Sequence, residues 1–133
     1  MNVLRQKFQN KDVSMMPLFF IGLTIFLTVI GQISVKWGMS QSPIPLHSTP
    51  FQVLLNLVTN IGFMAGMLCA LLAAVSWAVA ISRVKLSFAY PFTALSIVLV
   101  LALTPLVFGE YVPPSRWLGV AIVAVGIFIA AQG

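Results

Sequence analysis

Charged side chains are scarce along this chain of 133 residues. Seven Lys and Arg and two Asp and Glu make up 7% of the sequence, whereas 60% of the residues are hydrophobic. The mean hydropathy is +1.07. A soluble globular protein covers its surface with charge, and nine ionisable side chains cannot solvate the exterior of such a fold. The composition therefore excludes a soluble domain and indicates a membrane protein.

Residues that build catalytic and metal sites are equally rare. The sequence holds one His, one Cys and two acidic residues, which cannot assemble the usual hydrolytic or zinc sites within this chain. We therefore expect no enzyme, no cofactor and no metal. The lone Cys69 permits no intrachain disulfide and is expected to serve packing. The basic residues never form a long run, which argues against a nucleic-acid partner.

Four long apolar segments fill most of the chain. Each approaches the roughly 20 residues that a helix needs to cross a bilayer, and stretches such as 120–131 are apolar on every face, which favours helices over barrel strands. The sequence predicts an all-α membrane protein with a four-helix transmembrane bundle at 17–131, after a cytoplasmic segment at 1–16. The predicted spans are Pro17–Trp37, Asn60–Ile81, Phe88–Phe108 and Trp117–Ala131.

The distribution of positive charge predicts how the helices are oriented. Five basic residues flank one side of the predicted spans and two flank the other, so the positive-inside rule places both termini in the cytoplasm. The first apolar segment is long and lacks a clean small-x-small cleavage pattern, which predicts a retained helix rather than a cleaved signal peptide. The cytoplasmic set is Arg5, Lys7, Lys11, Arg83 and Lys85, and the external set is Lys36 and Arg116.

An external loop is expected at about 38–59. Three prolines between Gln41 and Pro50 forbid a continuous helix there. The apolar repeat Phe51, Leu54, Leu55 and Val58 then suits either a short helix at the membrane interface or an extension of the second span. His47 is expected to be a solvated loop residue, with a pH-sensing or ligand role as the alternative.

Small residues indicate where helices approach closely. Gly62-x-x-x-Gly66 on the second span and Gly126-x-x-x-Ala130 on the fourth suit internal packing or dimerisation. Pro91 and Pro105 should permit bends near the two ends of the third span. Because four helices make a poor conduit alone, a transporter of this size is expected to work as a dimer or with a partner.

Polar groups within the spans are the candidate functional residues, because such groups are costly in lipid. On the first helix, a polar stripe of Thr24, Thr28, Gln32 and Lys36 recurs every four residues. The stripe suits either interhelical hydrogen bonding or a substrate-lining wall.

The charged candidates carry similar alternatives. Glu110 suits an ion pair, proton coupling or recognition of an amine. Arg83 and Lys85 either only set the orientation of the helices in the membrane or bind a phosphate-bearing lipid headgroup. The candidate substrate-binding residues are Thr28, Gln32, Lys36, Arg83, Lys85, Tyr90, Glu110 and Arg116.

Three segments resemble the small EamA-like four-helix members of the drug/metabolite transporter superfamily. They are Leu86–Ser96 (LSFAYPFTALS), Gly109–Gly119 (GEYVPPSRWLG) and Ile30–Lys36 (IGQISVK). The last is similar to the Gly-Gln...Lys pattern of ArnE/ArnF-type subunits. This resemblance implies a bacterial inner-membrane flippase subunit for a polyprenyl-phosphate-linked (amino)sugar, contacting membrane lipids and working as a homodimer or as a heterodimer with a similar four-helix subunit.

Small multidrug resistance proteins have a comparable helix count and a similar third helix. The membrane glutamate that exchanges protons in that family would fall at Thr28, whose hydroxyl has no accessible protonation cycle. This difference argues against proton-coupled cation export. A small-molecule or cationic drug exporter and a non-transporting accessory subunit are the alternative functions.

Overall fold

The computed structural model describes the backbone of residues 2–132 and the side chains of residues 15–130 and 132. This part of the chain is entirely helical apart from its connections. The elements are α1 (Asn2–Gln41), α2 (Pro50–Thr59), α3 (Ile61–Ile81), α4 (Leu86–Phe108) and α5 (Pro114–Gln132). The expected all-α class is confirmed.

Three helices are long and apolar enough to cross a membrane. They are Met15–Gln41 within α1, Ile61–Ile81 and Leu86–Phe108. The apolar part of α5, Pro114–Ala130, is shorter than the roughly 20 residues of a typical span. The protein is thus a multi-pass membrane protein, and the crossing by α5 remains a prediction.

The apolar part of α1 begins close to the predicted start of the first span. Apolar length predicted this start at about Pro17, and the described apolar part of the helix begins at Met15. The helix itself runs on from Asn2 through Pro17, whose side chain is almost fully buried. The helix thus extends beyond the span toward the N-terminus, which apolar length does not predict.

Glycines bring α1 and α3 into close backbone contact. A methyl group on Gly62 would lie 2.5 Å from the Gly38 Cα, and one on Gly66 would lie 2.7 Å from the Gly31 carbonyl oxygen. Such close approach requires residues without side chains. The motif of Gly62 and Gly66 therefore serves packing within the chain.

A non-helical connection at 42–49 links α1 to α2 in the proline-containing segment, and its external location stays a prediction. Thr49 and Gln52 form a reciprocal capping box that starts α2. Asn60 then has extended backbone geometry and separates α2 from α3, so the alternative of a continuous second span is wrong. The Asn60 side chain accepts a hydrogen bond from the Phe63 amide at 3.0 Å and donates one to the Gly38 carbonyl at 2.8 Å.

The buried core lies where α1, the end of α3 and the start of α4 meet. Its members are Ile21, Ile25, Val29, Ala80 and Ala89. Helix α4 contacts α1 and α5, and touches α3 less extensively. Helix α1 therefore packs against both α3 and α4, which contact each other less extensively.

Helix α5 lies at the periphery. Within the described residues it contacts α4 and no other helix. Gly109, in the left-handed conformation with φ 63°, ends α4 before the turn to α5. Added methyl groups at Gly119 and Gly126 would meet no described residue within 4 Å, so the described part of the chain leaves the face with the Gly126-x-x-x-Ala130 motif uncovered.

Candidate functional site: a cavity along the polar stripe of α1

A cavity of about 840 Å³ runs along the face that α1 turns toward α3. It extends from Thr24 to Met39, which corresponds to roughly 22 Å of helix axis at 1.5 Å per residue. Its polar and aromatic lining residues are Thr24, Thr28, Gln32, Lys36, Trp77, Tyr90 and Thr93.

The cavity exists because the opposing face of α3 carries small side chains. The helix presents Gly66, Ala70, Ala73 and Ala74 to the cavity, spaced so that they share one face. These residues leave space beside the longer side chains of α1. Helix α4 contributes Tyr90 and Thr93 at one end, so the walls along most of the length come from α1 and α3.

The polar stripe of α1 contains one residue that is hydrogen-bonded to the backbone and others whose polar groups face the cavity. The Thr24 hydroxyl donates to the Phe20 carbonyl at 2.8 Å and lies 3.5 Å from the Ala73 carbonyl of α3, so it serves helix packing. Thr28 and Gln32 face the cavity. Neither side chain has a hydrogen-bond partner in the described part of the chain, so both polar groups are open to whatever occupies the cavity.

Lys36 and Glu110 form an ion pair at one end of the cavity. The Lys36 Nζ lies 2.5 Å from a Glu110 carboxylate oxygen, and both side chains are about half exposed. The same Nζ lies 5.7 Å from the centre of the Phe108 ring, within reach of a cation–π interaction. The ion pair is one of the roles that the sequence predicted for Glu110, and it brings this residue to the cavity. We call this the charged end.

Two aromatic side chains meet at the opposite end. The rings of Trp77 and Tyr90 pack edge to face with centroids 5.6 Å apart. Trp77 was not among the residues predicted from the sequence. Its spacing of seven and eleven residues from Ala70 and Gly66 places it on their face of α3, and this periodicity is the signal that could have identified it. We call this the aromatic end.

The remaining cationic candidates lie outside the cavity lining. Arg83 and Lys85 are exposed in the α3–α4 connection, within six residues of the aromatic pair along the chain. Arg116 is exposed in the first turn of α5, near the charged end in chain order. The structure therefore brings together Thr28, Gln32, Lys36, Tyr90 and, through Lys36, Glu110. The binding roles of all eight residues stay predictions.

The described residues contain no cluster of three or more His, Cys, Asp or Glu side chains that could hold a metal ion. The lining offers hydroxyl, amide, aromatic and ammonium groups instead. Groups of this kind recognise a polar ligand by hydrogen bonds, ring stacking and charge.

Three curated relatives resemble most of the chain. A probable 4-amino-4-deoxy-L-arabinose-phosphoundecaprenol flippase subunit ArnE from Hamiltonella defensa is 32% identical, over 82% of this chain and 90% of the relative. The corresponding ArnE of Pseudomonas savastanoi is 29% identical, over 77% and 85%. A probable ArnF subunit from Aeromonas hydrophila is 29% identical, over 82% and 74%. These relatives are named as flippase subunits and not as enzymes.

No protein-family model matches the chain, and no solved structure does. The identity to ArnE and ArnF subunits nevertheless extends over most of the chain and most of each relative. These similarities confirm the resemblance seen in the sequence, and the chain belongs to the family of small ArnE/ArnF-type flippase subunits.

Proposed function

We propose that the protein is a subunit of a bacterial inner-membrane flippase that translocates a polyprenyl-phosphate-linked amino sugar. The observation that carries this proposal is the cavity itself, in which unpaired polar groups of Thr28 and Gln32 line a path of roughly 22 Å through apolar helices. The names of the ArnE and ArnF relatives supply the substrate class.

The cavity suits a polar headgroup attached to a lipid tail. Its volume of about 840 Å³ lies within the roughly 300–1,000 Å³ that small-ligand sites occupy. The headgroup exchanges its hydration for the hydroxyl and amide groups of α1 during crossing. The polyprenyl tail stays in the bilayer, where it loses no hydrophobic stabilisation. The helices must therefore part laterally to admit the headgroup.

Arg83 and Lys85 are proposed to gather the phosphate before it enters. Both side chains are exposed at the connection next to the aromatic end of the cavity. Two cations at a membrane surface attract anionic headgroups, and a guanidinium can bind a phosphate through two parallel hydrogen bonds. The proposed topology, with both termini cytoplasmic and α5 as the fourth span, places these residues on the cytoplasmic side.

A second four-helix subunit is proposed to complete the path. Along most of the cavity the walls come from two helices, and the glycine face of α5 has no neighbour among the described residues. The relatives are named as subunits, which supports an assembly without fixing whether the partner is a second copy or a similar chain.

The proposal is tested by purifying the protein in native membrane patches and identifying the accompanying lipids and proteins by mass spectrometry. We expect an enriched polyprenyl-phosphate sugar together with a four-helix subunit. Ordinary phospholipid with a stoichiometric larger complex would contradict the proposal and indicate an accessory subunit. The absence of both would favour export of a soluble small molecule.

A further inference from the structure

The charged end of the cavity carries both signs of charge at one point. Among the described residues that line the cavity, Lys36 is the one with a formal charge, and its ammonium is neutralised by Glu110 at 2.5 Å. Glu110 is one of two acidic residues in the whole sequence. A ligand that reaches this end therefore meets a pair of opposite charges and not a simple cationic site.

The pair determines which ligands can bind without leaving an uncompensated charge. A purely anionic headgroup that bound the Lys36 ammonium would leave the Glu110 carboxylate without its ionic partner beside an apolar cavity. A purely cationic headgroup that bound Glu110 would leave the Lys36 ammonium without its ionic partner. Both side chains are about half exposed, so an unpaired charge here costs less than it would in a buried site. A ligand with both charges nevertheless keeps an ionic partner for each residue.

We infer that the charged end recognises a zwitterionic lipid headgroup by exchanging ionic partners. The phosphate of the headgroup binds the Lys36 ammonium, and an amine of the headgroup, protonated, binds the Glu110 carboxylate. The Phe108 ring, 5.7 Å from Lys36 Nζ, offers its face to either ammonium group. This inference rests on the proposed function and deepens it, because it assigns the phosphate and the amine of the transported headgroup to Lys36 and Glu110.

The neighbouring residues on α1 suit such an exchange. Gln32 lies one helical turn from Lys36 on the same face, and its amide can donate to or accept from a sugar hydroxyl or a phosphate oxygen. Both members of the ion pair are about half exposed, so water screens their attraction and the pair separates at modest cost. The total charge of the site is the same before and after the exchange.

Two kinds of lipid carry this chemistry. One is an amino sugar linked to a polyprenol through a phosphate, and the other is a phospholipid with an ethanolamine headgroup. The test uses the full-length chain in detergent micelles and native mass spectrometry to measure occupancy by each lipid. Each lipid is compared with its N-acetylated form, which keeps the phosphate and loses the positive charge.

For the amino-sugar lipid, we expect the wild-type chain to prefer the free amine over the N-acetylated form by about tenfold, the worth of one charge-assisted hydrogen bond. Glu110→Gln should reduce this ratio to about one. Glu110→Asp should retain a preference. Asp12→Asn, which removes the other acidic side chain, is the matched control and should leave the ratio unchanged. Lys36→Gln should weaken binding of both forms because the phosphate loses its partner.

A double variant, Lys36→Gln with Glu110→Gln, guards against misfolding caused by one unpaired charge, and it too should show no preference. Equal wild-type binding of the free-amine and N-acetylated forms of both lipids, or a preference that survives Glu110→Gln, would overturn the inference. If the polyprenyl lipid binds equally well in both forms and the ethanolamine lipid shows no preference either, the inference fails while the proposed function stands. If only the ethanolamine lipid shows the Glu110-dependent preference, the zwitterion inference stands and the polyprenyl substrate is wrong.

Discussion

At the scale of single residues, one stripe of α1 combines packing contacts with polar groups that face the cavity. The Thr24 hydroxyl donates to the Phe20 carbonyl and lies 3.5 Å from the Ala73 carbonyl, whereas the Thr28 hydroxyl and the Gln32 amide face the cavity. Helical periodicity predicted the stripe because the four residues share one face. It could not predict the division, which depends on how closely α3 approaches at each turn.

Replacement of Gln32 by Leu tests the cavity-facing part of the stripe. The substitution removes an amide that has no structural partner in the described part of the chain, so expression and thermal stability should be unchanged. Transport should fall by about tenfold or more, since a hydrogen bond to a charged headgroup is lost. Reconstituted vesicles provide the measurement, and full transport by the variant would return Gln32 to a purely structural role.

Joint replacement of Arg83 and Lys85 by Gln tests the proposed entry site. Both side chains are exposed, so folding should be preserved once insertion in the correct orientation has been verified. Binding of the chain to vesicles rich in anionic lipid should weaken by roughly thirtyfold, because each of the two basic residues near such a surface is worth about 1 kcal/mol. Unchanged binding and unchanged transport would refute the role assigned to these two residues.

At the scale of helices, the α1–α3 contact determines where the cavity can form. Glycines at the Lys36 end bring the backbones together, and alanines further along α3 leave the space that the polar stripe lines. The sequence showed the small residues but not their partner, since the Gly62-x-x-x-Gly66 motif suits dimers and internal contacts equally. Three-dimensional packing determines which helix this glycine face contacts, and the structure shows that it is α1.

A pair of glycine substitutions tests this contact. Gly62→Ala would place a methyl group 2.5 Å from the Gly38 Cα, and the overpacking should lower the free energy of unfolding by about 1–3 kcal/mol. Gly119→Ala is the matched control, because a methyl group there meets nothing within 4 Å. Thermal unfolding in detergent measures both. Equal stability of the two variants would contradict the close α1–α3 packing.

The helix boundaries show what local sequence signals could and could not predict. Apolar length predicted α3 and α4 to within two residues, whereas the amphipathic repeat left open whether α2 is a separate helix or an extension of the second span. Apolar length also placed the start of the first span near Pro17 but not the start of the helix, because α1 continues through the polar segment before Met15. Glu110 lies outside any helix, so its pairing with Lys36 depends on where α4 ends and not on periodicity.

At the scale of the whole molecule, the fold combines three clear spans with a shorter peripheral helix. The apolar part of α5 is Pro114–Ala130, and within the described residues α5 contacts only α4. A helix of this length can still cross where the bilayer thins or where a neighbouring subunit covers it. The proposed assembly with a second subunit would give α5 such a neighbour.

The proposed topology is tested with single cysteines in a Cys69→Ala background. Cysteines at Ser48 and Ser115 should react with a membrane-impermeant thiol reagent from the outside of intact cells. Cysteines at Ser82 and Gln132 should react only after the membrane is opened. Labelling of the cysteines at positions 115 and 132 from the same side would show that α5 does not cross the membrane. A fully reversed labelling pattern would contradict the predicted orientation.

Reconstitution provides the decisive measurement of whether this chain moves a polyprenyl-phosphate-linked amino sugar across a bilayer. The full-length chain, with the partner subunit that co-purifies, is placed in vesicles carrying this lipid on one leaflet. The lipid that reaches the other leaflet is then measured with an impermeant amine reagent. We expect transfer that depends on the protein and falls with Gln32→Leu. Transfer no faster than in protein-free vesicles would show that the chain is not the flippase subunit proposed.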